Sequence, residues 1–219
     1  MQAADFREEI SRIRQVLSEI SCQSHTSDKF QNDILGFIEA NASEGSLIIE
    51  IGCYKGGLTA QLAYAAKRFG LSFDVIDIDH HYLNVAAGAV EKAGLGGYAT
   101  FHAMDFAGYV RNAVDRGRAV LVFDDGDHRY NGVMSDIAAI KAMKPAPYAC
   151  AFHDFSLRYD CESLSDVRVD RAIHDGFGGD VALQPIGEIA AAGGPLRTEP
   201  GADHHFHELG KPEGVILTL

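Results

Sequence analysis

No basic run interrupts this sequence, and no stretch approaches the roughly 20 consecutive apolar residues of a membrane span. The net charge of −12 argues against a nucleic-acid backbone or an anionic membrane as the main partner, because either would repel an acidic surface. Cysteine is sparse. Cys22, Cys53, Cys150 and Cys161 lack the paired spacing of a metal finger, so reduced thiols are expected. The opening stretch "MQAADFREEISRIRQVL" is charged and helix-like and has no signal-peptide core, which makes a cytoplasmic location the expectation. Internal repeats and long low-complexity segments are missing as well.

What is present is an alternation. Apolar runs at 46–51, 73–78, 98–103, 119–124 and 148–153 predict buried strands. Helical patterns fill the gaps near 57–69, 82–93, 106–116 and 131–143. Regular alternation of this kind predicts βαβ units and a parallel sheet covered on both faces. Two amphipathic helices are expected first, over about 3–21 and 28–40, with Phe6, Ile10, Ile13, Leu17 and Ile20 on one face. That face must bury somewhere, so a homodimer or a cover for the acceptor pocket is expected. After 153 come a helix near 166–177, an apolar run at 181–186 and a loop rich in Gly, Pro and His. The terminal "GVILTL", 214–219, reads as an antiparallel strand at the sheet edge. The expected organisation is a helical extension over 1–44 and one α/β domain over 45–219: a Rossmann-like seven-stranded, mostly parallel sheet.

In an open α/β sheet the ligand lies beyond the carboxyl ends of the strands. Nearly every strand here exits onto an acid or a histidine. The first exit, "LIIEIGCYKGG" at 47–57, lacks the middle glycine of the dinucleotide fingerprint, and no G-K-[ST] follows to make a phosphate-binding loop. Gly52 and Gly56 still allow close backbone approach. Glu50 stands directly before the turn, where it would repel a pyrophosphate but could pair with an ammonium group. Asp77 can accept from a ribose diol, and Asp105 from an adenine amino group. An amino acid, a ribose and an adenine together describe S-adenosylmethionine.

"EIGCYKGG", "DVIDID" and "VFDDGDHRYNGV", followed by "HDF", resemble the class I S-adenosylmethionine-dependent methyltransferases. The branch is that of the small-molecule O-methyltransferases, macrocin-type and more distantly catechol-type. The resemblance covers about 46–155. It implies that Glu50 and Gly52 hold the methionine end, that Asp77 holds the ribose, and that Met104 and Asp105 flank the adenine. Tyr54, Gly56, Asp79 and Asp125 complete the implied cofactor-binding set. His80 and His81 are expected in a loop on the adenosine side.

The resemblance also implies a divalent metal at Asp125, His153 and Asp154. An imidazole in that set shifts preference from Mg²⁺ toward Mn²⁺, Fe²⁺ or Zn²⁺. His128 and His153 are the candidate general bases, since imidazole titrates near working pH. His128 could instead make an orienting bond to Asp127 or a backbone carbonyl, and His153 could be a buried, satisfied histidine. Tyr130 reads as the first turn of a helix. "DHHFHE", 203–208, is either a solvated loop or a transition-metal site through His204, His205 and His207. Arg158, Arg168 and Arg171 could face an anionic acceptor or be surface charges. The expected activity is O-methylation of a small hydroxylated acceptor. A non-catalytic cofactor-binding or assembly subunit of the same fold is the alternative, and a nicotinamide oxidoreductase is disfavoured by the missing glycine and by Glu50.

Overall fold

The computed structural model describes residues 5–112, 117–191 and 205–219. Five strands form the parallel part of a seven-stranded sheet: β1 (Leu47–Ile51), β2 (Ser72–Asp77), β3 (Thr100–Ala103), β4 (Ala119–Asp124) and β5 (Ala149–Phe152). Between and before them run α1 (Arg7–Ser18), α2 (Asp28–Asn41), α3 (Gly57–Phe69), α4 (His80–Lys92), α5 (Phe106–Asn112) and α6 (Tyr130–Ala142). The chain continues through β6 (Leu157–Tyr159), α7 (Val169–Phe177), β7 (Gln184–Ile189), β8 (His205–His207) and β9 (Pro212–Thr218). Sheet order is β3-β2-β1-β4-β5-β9-β7, and β6 and β8 pair separately as a small antiparallel ribbon. No described helix is long and apolar enough to cross a membrane.

The central strands β1, β4 and β5 bury both faces, which is why they read as continuous apolar runs. Ile48, Val75, Leu121 and Phe123 point to a core shared with α1 to α4. Ile49, Ile51, Ile76 and Val122 point to a second core shared with α5, α6 and α7. The Ile10, Ile13 and Leu17 face of α1 is fully buried within this single chain. The apolar face behind the homodimer expectation is thus already covered, apart from Ile20, which is 39% exposed.

One expectation is corrected. The terminal strand is antiparallel, but it is not at the edge: β9 pairs with β5 on one side and β7 on the other. The residues explain the order. Gly214 to Leu217 are buried without a polar break, as an interior strand requires, whereas β7 carries Pro185 and Gly187 and is exposed at both ends. Proline cannot donate to a ladder and is tolerated on an edge strand. His80 and His81 likewise belong to the first turn of α4, not to a loop. The expected helix over 106–116 ends within the described residues at Asn112, and 113–116 lie outside them.

If α1 is part of the core, Ile13→Ala should cost about 2–5 kcal/mol in urea denaturation, the usual range for truncating a buried aliphatic side chain. A change within about 0.5 kcal/mol, typical of a surface position, would contradict the packing.

Candidate active site

The carboxyl ends of β1, β2, β3, β4 and β5 open into one cavity of about 750 Å³. Its shape begins with Gly52, at φ +80°, where a Cβ would lie 2.4 Å from the Asp125 carbonyl oxygen. Only glycine lets the first loop pass that close to the end of β4. Gly56, at φ +79°, serves packing instead. A Cβ there would lie 2.7 Å from Ala86 Cα of α4, and Gly56 does not line the cavity.

Glu50 is 1% exposed, and its Oε2 has no hydrogen-bond partner although the residue lines the cavity. Burial pushes its carboxyl well above the usual range, and the nearby charges of Asp125 and Asp77 add to the effect. A buried acid in that condition calls for a cation. Asp77 accepts from two backbone amides, Cys53 N at 3.1 Å and Asp79 N at 2.8 Å, which fix its position at the end of β2. Asp79 caps α4 by accepting from His81 N at 2.7 Å. Met104 and Asp105, after β3, also line the cavity, and Asp105 accepts from Gly108 N.

Tyr54 adopts φ +43° at the rim, between the rings of His25 and Tyr82, each 5.1 Å away. His25 belongs to Gln23–Thr26, the link between α1 and α2, and this link roofs the cavity. It was legible in the sequence only as a helix break. Its fit depends on Gly57, where a Cβ would lie 2.5 Å from the Ser24 backbone.

The same cavity holds a tight polar cluster. Asp125 Oδ1 is 3.0 Å from His153 Nδ1 and 3.2 Å from His128 Nε2. Asp154 Oδ2 is 3.0 Å from His128 Nε2, and Asp154 Oδ1 is 3.4 Å from His153 Nδ1. One ligand atom from each of Asp125, His128, His153 and Asp154 lies within 4.8 Å of all the others. The structure therefore adds His128 to the predicted metal set. The chain turns sharply at Asp154, at φ +53°, a conformation uncommon outside glycine.

Burial alone would lower the His128 pKa, but the bond to Asp125 and the charge of Asp154 outweigh it and raise it to about 9. His153 is raised well above its ordinary value in the same way, by Asp154 and Asp125 against burial. Burial opposes ionisation of Asp125 and Asp154, yet the charge of His153 holds both below the usual carboxylate range. Without an ion the cluster is thus two imidazolium–carboxylate pairs.

Several candidates have other partners. Asp127 does not pair with His128; it accepts from Arg129 N at 3.0 Å. Tyr130 starts α6 and donates to Asp175 at 2.9 Å. Arg158 is buried against Asp170 (2.6 Å) and Glu208 (2.8 Å), Arg168 faces Asp170, and Arg171 faces Asp175. None of these arginines, nor His80 or His81, lines the cavity. His205 and His207 sit on β8, and His207 Nδ1 bonds Ser156 Oγ at 2.9 Å. His204 lies outside the described residues.

An acid-rich cavity at the carboxyl edge of a Rossmann-like sheet with a reversed last strand defines the class I S-adenosylmethionine-dependent methyltransferases. A family model described as "Methyltransferase domain" matches residues 49–159, and the chain belongs to that family. Its fold is similar to that of cofactor-bound Rv0187 from MTB, at 15% identity and TM-score 0.64, over 96% of this chain and 89% of that one. It is also similar to the O-methyltransferase TomG from Streptomyces achromogenes in complex with SAM, at 17% identity and TM-score 0.58, over 96% and 89%. An O-methyltransferase from Bacillus cereus in complex with SAH aligns at 15% identity and TM-score 0.55, over 97% and 91%. No curated protein matches the chain.

Asp136, on α6, also lines the cavity; burial first, then the charges of Asp127 and Asp105, raise its pKa from 3.8 to about 6. A carboxyl whose folded pKa is raised penalises folding once it must ionise. The penalty appears as pH rises above 3.8 and is complete above about 6. Asp136→Asn should therefore stabilise the protein by about 1–3 kcal/mol at neutral pH, and the gain should vanish in acid. Thermal unfolding of both proteins across that range checks this, and a gain that persists in acid would contradict it.

Proposed function

We infer that the protein uses S-adenosylmethionine to methylate a hydroxyl oxygen of a small acceptor, with a divalent metal held beside the methyl donor. The observation that carries this reading is a single cavity with two unlike polar features. It is lined by the buried carboxyl of Glu50, whose Oε2 has no partner, and by the Asp125–His128–His153–Asp154 cluster at the neighbouring strand exits. A cavity of about 750 Å³ suits a nucleoside cofactor with a small acceptor and no polymer. The SAM and SAH complexes named for the relatives of the same fold support the cofactor.

The residues fit the cofactor. The Glu50 oxygen would receive the methionine ammonium, and Gly52 removes the side chain that would block the approach. Asp77, already oriented by two amides, offers its carboxylate to the ribose diol, while Met104 and Asp105 bound the adenine end. When bound, the cofactor supplies a methyl group on a sulfonium that needs no further activation. The chain has two remaining tasks, to hold the acceptor oxygen in line and to see its proton removed.

The four-residue cluster fits a divalent ion. Two imidazole nitrogens with two carboxylates are a donor set for Mn²⁺, Fe²⁺ or Zn²⁺ ahead of Mg²⁺. An ion held there would lower the pKa of an acceptor hydroxyl. The cluster's own charges bear on the alternative. Asp125 and Asp154 keep both imidazoles protonated when no ion is present, and a protonated imidazole cannot take up the acceptor's proton. Ligation likewise requires an imidazole to give up its proton, and the low exposure of His153, 5%, suits a fixed ligand.

Calorimetric titration tests the cofactor end. Wild type should bind S-adenosylmethionine and S-adenosylhomocysteine but not NAD, and Glu50→Gln should lose most of the affinity by leaving the ammonium without its counter-charge. A variant that binds like wild type would remove Glu50 from the site. On an identified acceptor, exhaustive chelation should abolish turnover and Mn²⁺ should restore it. Activity that survives chelation would rule out the metal scheme.

A further inference from the structure

Glu213 plays no part in the roles assigned above, yet it is the most heavily engaged carboxylate next to the cluster. It lies near the start of β9 with its side chain only 11% exposed. It accepts from Ser27 N at 2.7 Å, Ser27 Oγ at 2.5 Å and Glu188 N at 3.1 Å. Its Oε1 also faces His153 Nε2 at 3.4 Å, the long end of a hydrogen bond. The other ring nitrogen of His153, Nδ1, points to Asp125. The imidazole therefore spans the two carboxylates, with the Phe30 ring packed against it at 5.0 Å between centroids. The packing leaves little freedom. A Cβ on Gly187 would lie 2.4 Å from Glu213 Oε2, and one on Gly214 would lie 2.5 Å from the Phe152 carbonyl oxygen.

A histidine that binds a metal through one nitrogen presents the other as a donor, and a carboxylate on that donor fixes the ring and strengthens the ligand. The geometry points to Glu213 as a positioning residue: it holds the His153 ring so that Nδ1 is presented to Asp125, His128 and Asp154. Through Ser27, the N-cap of α2, the same carboxylate ties that ring to the segment directly after the cavity roof Gln23–Thr26. Glu213 does not line the cavity and acts only through His153. Burial works against its charge, but the bonds to His153 and Ser27 keep its pKa below the ordinary value.

The ion-affinity part of this inference rests on the metal reading above; the ring-orientation part does not. The test compares full-length wild type, Glu213→Gln and Ser27→Ala. Ser27→Ala is the structural control, since it removes the cap and the hydroxyl bond to Glu213 but leaves the backbone amide bond and the charge facing His153. Histidine side-chain ¹⁵N–¹H spectra should show a protonated His153 Nε2 whose resonance moves in Glu213→Gln and stays in place in Ser27→Ala. Free Mn²⁺, read by electron paramagnetic resonance, should show affinity roughly 10–100-fold weaker in Glu213→Gln, with S-adenosylhomocysteine affinity unchanged. An Nε2 resonance identical in wild type and Glu213→Gln would overturn the inference. If that variant does not fold, wild type decides: a slowly exchanging Nε2 proton supports the role, and an unprotonated Nε2 overturns it. Should wild type bind no Mn²⁺, Fe²⁺ or Zn²⁺, the metal reading falls while the nitrogen spectrum still decides the positioning role.

Discussion

Parallel pairing of β2, β1, β4 and β5 brings four strand exits to one edge of the sheet, and each exit carries a carboxylate: Asp77, Glu50, Asp125 and Asp154. Neighbouring strands lie only about 4.8 Å apart, so these acids cannot avoid one another. The rest of the site answers that crowding. Asp77 is steadied by backbone amides. Asp125 and Asp154 are matched by two histidines drawn into the charged state. Glu50 is buried with its Oε2 unpartnered, the feature on which the proposed seat of a cationic ligand group rests.

The two faces of the sheet contribute differently. The second core, with α5, α6 and α7, supports the floor and supplies the wall acid Asp136. The first core includes the two N-terminal helices, and it does more than cover apolar surface. It brings the Gln23–Thr26 link against the cavity, places Phe30 against His153, and sets Ser27 on Glu213. A deletion of the N-terminal helices would thus disturb the roof and the histidine ring together.

The strand exits were legible in the sequence because a strand end is a local feature: an apolar run stops at an acid, and the parallel topology does the convergence. Eight of the nine residues expected to bind cofactor line the cavity, as do Asp125, His128, His153 and Asp154. Gly56 differs because nothing local distinguishes a glycine needed by a ligand from one needed by Ala86 on a neighbouring helix. The place of β9 was misread, although Pro185 in β7 carried the signal that β7 takes the edge. Glu213 was invisible for another reason. It meets His153 only through the antiparallel register that sets Phe152 opposite Val215, and its partner Ser27 lies 186 residues away in sequence. Arg158 misled because a lone arginine in a sequence does not reveal the buried Asp170 that claims it.

The central claim is that one cavity places a divalent ion beside the transferable methyl group. Paramagnetic relaxation of bound S-adenosylmethionine by Mn²⁺ tests it most directly. The account predicts that Mn²⁺ on the Asp125–His128–His153–Asp154 cluster relaxes the S-methyl protons strongly and the adenine protons weakly, and that Asp154→Ala abolishes the effect. Relaxation of the adenine protons equal to that of the methyl, or none at all with both ligands bound, would contradict it.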